Sequence, residues 1–249
     1  MDVIEILVVG SLAFLIGGTV KGLAGLGLPT TALGIMTLTL GPRIAISLVL
    51  FPMLGGNLWQ AYRAGLIGRT MRRYWVFALV LLLGVFATVM LTKDTDDRVL
   101  LAVLGAVLLI FVAISVKGWM PVLPERWDPI AQAVGGAVSG VIGGMTAGWG
   151  APLAMYLATR GVEKDEFIRA SGFLITVGSL PLCIGYIGLG FMTGPLAGVS
   201  LAMLVPTLVG FTIGERLRSR LSVEGFRRLL LIVFVLLGLN LIRRAIWYV

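Results

Sequence analysis

Two short runs pair glycines with a proline in the same order, and both point to one kind of chemistry. Ala24-Gly25-Leu26-Gly27-Leu28-Pro29 is echoed 123 residues later by Ala147-Gly148-Trp149-Gly150-Ala151-Pro152. Proline suits the first position of a helix, where no N–H is required, and glycine lets a ligand approach the backbone closely. Each run therefore predicts a helix that begins in a glycine-rich break. Its first-turn N–H groups and about half a positive charge would be open to an anion. A site shared by two such ends would be lined by Gly25, Gly27, Thr30, Thr31, Gly148, Trp149 and Gly150. The competing reading of the glycines is close helix packing. That reading is preferred for Gly17, Gly18, Gly143 and Gly144, which stand upstream in matching Ile-Gly-Gly runs.

Polar side chains inside apolar stretches extend the candidate set. Lys21 is the one base embedded in a glycine-rich motif, and it either serves the site or snorkels to the interface. Asn57 and Gln60 are three apart, share a helix face and are costly in lipid unless they meet a polar cavity or another helix. Ser47, Ser171, Thr176 and Ser179 on the corresponding segments could add hydroxyls, with Ser171 and Ser179 as site candidates. There is no histidine, and every Asp and Glu lies near a segment end, so no proton relay is visible. Asp94, Asp96 and Asp97 read as a solvated turn capping the next helix rather than a metal site. Cys183, the single cysteine, lies in an apolar run and reads as a buried, inert thiol. No nucleophile, base or metal ligands converge, so an enzyme is not expected, nor is a cofactor.

The elements that must position these residues are membrane helices. Of the residues 58% are hydrophobic and 13% charged, and mean hydropathy is +1.02, against roughly 25% charge in soluble domains. Apolar stretches of about 20 residues, enough to cross a bilayer, recur with short polar breaks. The first is preceded by Asp2 and Glu5 rather than a basic region and reads as a structural helix, not a signal peptide. The net charge of +8 sits at segment ends, where it sets topology rather than meeting nucleic acid.

Each half gives the same series: a helix, a glycine break, a short segment and three longer helices. The expected segments are 4–21, 29–40, 45–61, 74–91 and 99–116, then 130–146, 152–159, 168–187, 196–213 and 226–247. This divides the chain into a first repeat, 1–117, a linker, 118–129, and a second repeat, 130–249. Ile46-Ser47 lies opposite Ala170-Ser171, and Tyr62 opposite Tyr186. Arg63, Arg69, Arg72 and Arg73 mark the loop after the third segment as cytoplasmic. In the second half the basic loop comes one helix later, with Arg216, Arg218, Arg220, Arg227 and Arg228 against Glu215 and Glu224. A bias displaced by one helix predicts inverted-topology repeats with about five segments each. The alternative is eight crossings in two parallel halves with re-entrant short segments. The fold class is thus an all-α polytopic membrane protein, with broken half-helices at the Gly-x-Gly-x-Pro motifs.

These paired breaks and Arg-rich loops, over essentially the whole length, resemble the TauE/SafE family of bacterial sulfite and organosulfonate exporters. The resemblance implies a multi-pass permease of the inner (plasma) membrane that moves small sulfur-containing or carboxylate-bearing anions, thiosulfate among the alternatives. By the family's motif, Gly25, Gly27 and Pro29, and likewise Gly148, Gly150 and Pro152, carry over as substrate-proximal positions. Gly25-Leu26-Gly27 is poorer in consecutive glycines than the family's stretch, and Trp149 replaces a smaller residue. The expected partners are a small anionic substrate and the lipid bilayer. A membrane-embedded enzyme and a non-transporting membrane partner are the rival readings.

Overall fold

A computed structural model describes residues 3–65, 67–117, 123–218 and 223–247. Among them are eleven α-helices and no strand: α1 (Val3–Ala24), α2 (Leu28–Met36), α3 (Pro42–Ala64), α4 (Ile67–Leu91), α5 (Asp97–Lys117), α6 (Asp128–Thr146), α7 (Gly150–Thr159), α8 (Lys164–Gly188), α9 (Gly194–Ala202), α10 (Leu204–Arg218) and α11 (Val223–Ile246), with a 3-10 turn at Glu125–Trp127. Positions 118–122 of the expected linker, Asp2 and Arg220 lie outside the described residues, as do the side chains of Glu5, Arg218, Glu224, Arg227 and Arg228. Among the described residues, six helical stretches are long and apolar enough to cross a membrane: Ile6–Ala24, Pro42–Arg63, Ile67–Leu91, Asp97–Lys117, Asp165–Gly188 and Gly194–Leu217.

Most helix ends shift by a few residues from the sequence expectation, and two departures are larger or change an element. Helix α4 starts seven residues earlier than expected, because Arg69, Arg72 and Arg73 are wound into it rather than looped. Arginine is a good helix former, so charge alone did not mark the helix end. The ninth expected segment is divided at Met203 into α9 and α10.

The surface is apolar and the interior holds the polar groups, as suits helices in lipid. Leu83, Leu91, Val134, Val205 and Leu236 are exposed, whereas Lys21, Asn57, Gln60, Gln132 and Ser139 are buried.

Glycines set the helix pairings. Helix α1 packs most extensively on α10, and α4 on α6. Along the first pair Gly10 faces Met203, Gly18 faces Thr207 and Gly22 faces Gly214, so the two helices run parallel. Along the second, Gly135 faces Phe77, Gly140 faces Gly84 and Gly144 faces Thr88, again parallel. Helices α3 and α8 run antiparallel: Gln60 bonds Ser171 at one end, and Ser47 bonds the Phe191 carbonyl at the other. Helices α5 and α11 are also antiparallel, with Gly105 against Ile242 and Leu109 against Gly238. Exchanging the halves interchanges the α1/α10 and α4/α6 pairings and returns α3/α8 and α5/α11 to themselves. Gly17 rests on Leu28 and Gly143 on the Trp149 ring, so both serve packing, like Gly18 and Gly144.

Helix α4 is kinked at Tyr74 (φ −112°, ψ 21°), and the cause is a side chain inserted into its ladder. The Gln132 amide of α6 donates to the Arg73 carbonyl at 3.0 Å, and its oxygen accepts from the Phe77 N–H at 3.2 Å. Residues 73 and 77 are i and i+4 partners, so Gln132 takes the place of the helical bond that the kink opens. Replacing Gln132 with leucine is expected to leave both backbone groups buried and unpaired, at about 1–3 kcal/mol each. Denaturant unfolding in detergent would measure a loss of that size. A second repair occurs in α3, where Pro52 leaves the Leu48 carbonyl without its i+4 donor. Ser200 Oγ donates to it at 2.9 Å.

Candidate functional site

Lys21 stands in the last turn of α1 and is 1% exposed. It does not snorkel; its Nζ donates to Asn57 Oδ1 at 2.6 Å. Asn57 is itself aimed by its Nδ2, which donates to the Met53 carbonyl at 2.6 Å. Among the described residues no ion pair involves Lys21; the four that occur are Arg43–Asp97, Arg63–Glu215, Arg73–Glu166 and Arg160–Asp128. A buried ammonium is costly unless paired, and here it has only an amide oxygen.

Gln60, one turn beyond Asn57, joins the first break to α8. Its Nε2 lies 2.7 Å from the Ile168 carbonyl, 3.2 Å from Ser171 Oγ and 3.4 Å from the Gly25 carbonyl. Its Oε1 is buried without a partner, as is Thr31 Oγ1 on the first turn of α2. Gly27 caps α2 at φ 100°, a left-handed conformation that only glycine adopts at little cost. Thr30 Oγ1 closes back on the Gly27 carbonyl at 3.1 Å. Gln60 thus joins Gly25 and Ser171 at the first break, where Gly27, Thr30 and Thr31 open α2, and the Lys21–Asn57 pair lies one turn away along α3.

The second break is built differently. Gly148 N–H donates to Thr146 Oγ1 at 3.2 Å. Trp149 is buried against Gly143 and Gly178, with its indole N–H unpartnered. Gly150 begins α7 and faces open space, since a Cβ added there meets nothing within 4 Å. At its other end α7 is tied to α6: Tyr156 Oη donates to Asp128 at 2.9 Å, and Arg160 pairs with the same carboxylate at 3.0 Å. Ser179 is spent on its own helix, donating to the Ile175 carbonyl at 2.6 Å, and joins neither break. The two breaks touch α8 at different levels, Gly25 at Ile168 and Trp149 at Gly178. Ten residues of helix place those levels about 15 Å apart along its axis.

The ends of α3 and α10 meet through Arg63 Nη1 and Glu215 at 2.9 Å, which puts Arg63 and Arg216 at the same end of the bundle. The family model for the sulfite exporter TauE/SafE matches residues 10–241. The chain belongs to the TauE/SafE family. It is thus an all-helical, multi-pass membrane protein of a transporter family, as the sequence resemblance implied. No curated protein and no solved structure matches it.

Arg43 lies outside the residues that the sequence pattern singles out. It pairs with Asp97 at the start of α5, at 3.4 Å, and stacks on the Phe191 ring at 4.6 Å. The available signal was an arginine just after Gly41-Pro42, at the end of α3 opposite the Arg63 cluster.

Proposed function

We propose that this TauE/SafE member exports small anions, sulfite or a short organosulfonate, across the inner membrane. The observation that carries the reading is Lys21, a buried cation in the last turn before the first break, bonded to Asn57 of α3 and with no carboxylate partner among the described residues. An anion there would complete the charge that Asn57 only solvates. The first-turn N–H groups of α2 and the hydroxyl of Thr31 would add donors. Gln60 Nε2 and Ser171 close the other side.

The repeats, 1–117 and 130–249 joined by 118–129, have inverted topology. This is supported by the antiparallel α3/α8 and α5/α11 pairs, since equivalent helices run oppositely when the twofold lies across them. The contact of Arg63 with Glu215 supports a common, cytoplasmic face for both basic regions. The openings of α2 and α7 engage the anion in sequence rather than together, because their levels on α8 differ. An inside-negative potential drives an anion outward with about 2.3 kcal/mol per charge per 100 mV.

Purified protein in liposomes is expected to release labelled sulfite down its gradient. Gly150→Val should fold normally, because the added side chain enters open space, yet reduce flux at least tenfold by blocking the start of α7. Undiminished flux through a folded Gly150→Val would remove α7 from the path. Release of thiosulfate or a carboxylate in place of sulfite would revise the substrate and keep the site.

A further inference from the structure

A narrow, half-open recess lies toward the other end of α3 from Lys21, where α6 runs into the second break; its enclosed space is about 10 Å³, and the roughly 200 Å³ around it is shared with open solvent. Arg43, Val89, Thr92, Leu100, Gly144, Met145, Tyr186 and Phe191 line it. Arg43 opens α3, and Lys21 bonds Asn57 fourteen residues further on, so the recess and the Lys21 cluster are about 21 Å apart along α3.

Its polar groups are built to donate. Arg43 Nη2 gives hydrogen bonds to the Thr92 and Thr95 carbonyls, at 3.4 and 2.5 Å, and Nε faces Asp97 at 3.4 Å. No hydrogen bond or ion pair among the described residues uses Nη1. Tyr186 is 3% exposed, and among the described residues its hydroxyl makes no hydrogen bond, although a buried phenol normally has one. The Phe191 ring holds the two together: it lies under the Arg43 guanidinium and 5.3 Å from the Tyr186 ring.

We infer that this recess is a second anion station, on the face opposite Lys21, in which Arg43 and Tyr186 donate to the oxygens of a small oxyanion before its release. The inference rests on the transport reading above and adds a site to it. A guanidinium and a phenol suit an ion with several acceptor oxygens. Asp97 already shares the guanidinium, so the anion competes with a resident carboxylate and is held weakly. Weak holding suits a point of exit, since a transported ion must leave as readily as it enters.

The test compares sulfite flux entering from each face, in right-side-out and everted membrane vesicles holding the full-length protein. Tyr186→Phe is expected to raise the half-saturating sulfite concentration at the Arg43 face at least threefold, and Arg43→Gln about tenfold. The value at the Lys21 face should stay within a factor of about 1.5. Tyr186→Phe removes one oxygen that no neighbour uses, so it keeps the test valid should Arg43→Gln fail to fold. Unchanged half-saturation at both faces in a folded Tyr186→Phe, in vesicles where a Lys21 variant loses flux, would overturn the station and spare the transport reading. Equal increases at both faces would also overturn it. Absence of sulfite flux in the unaltered protein would remove both.

Discussion

Lys21→Met is expected to lose at least tenfold in sulfite flux while the empty protein becomes no less stable. The two halves of that result come from the same geometry. The ammonium is buried, donates 2.6 Å to the Asn57 amide and meets no carboxylate among the described residues. Holding a cation there without a counter-charge costs free energy, and methionine fills similar volume without that cost. Its removal offsets the loss of about 1–3 kcal/mol from leaving Asn57 Oδ1 unpaired. The melting temperature in detergent should therefore hold or rise. A bound anion, by contrast, loses a charge-assisted contact of about 1.5–3 kcal/mol, which is roughly 10- to 150-fold in affinity. A purely structural lysine would give the opposite pattern, with flux retained in the surviving folded fraction and a lower melting temperature. Liposome flux and thermal unfolding on the same preparation separate the two.

A large effect on folding is expected at Gly140. Its added Cβ would stand 2.9 Å from Gly84 Cα and 3.2 Å from Val85 N, and the reverse approach from Gly84 is 3.2 Å to Gly140 Cα. Those neighbours are backbone and cannot rotate away. Helices in lipid gain their association from such close approach rather than from burial of apolar surface. Gly140→Leu must push α4 and α6 apart along their whole contact, beyond the roughly 1–3 kcal/mol of ordinary overpacking. Detergent-solubilised Gly140→Leu should elute as aggregate on size exclusion. Gly198→Leu, where a Cβ meets nothing within 4 Å, should elute as the native protein does. A monodisperse Gly140→Leu with native melting would show that the α4/α6 seam is looser than its glycines imply.

Much of this architecture was legible in the sequence because membrane helices announce themselves by length and hydropathy. The Gly-x-Gly-x-Pro runs announced the short helices α2 and α7 by the proline that each helix takes into its first turn or just after. Lys21, Asn57 and Gln60 were readable as misplaced polar groups, and the structure brings them together with Gly25 and Ser171. Three features were not legible. Arg43 looked like any interfacial base, since nothing in its neighbours reveals that Phe191 and Tyr186 return to it from far along the chain. Gln132 gave no sign of repairing the opening in α4, because that pairing exists only once α6 lies alongside. The separation of the breaks along α8 was hidden too, since a repeat in sequence fixes likeness and not depth.

Asp128 has a consequence for which part of the molecule can move. It accepts Tyr156 and Arg160 from the far end of α7 and Gln132 from its own helix, and Gln132 in turn grips α4. The second short helix is thereby moored to a girder of two long ones. The first has no such polar mooring among the described residues; α2 packs on α1, α3 and α11. The twin halves are thus mechanically unequal, with α2 the less firmly tethered of the two short helices.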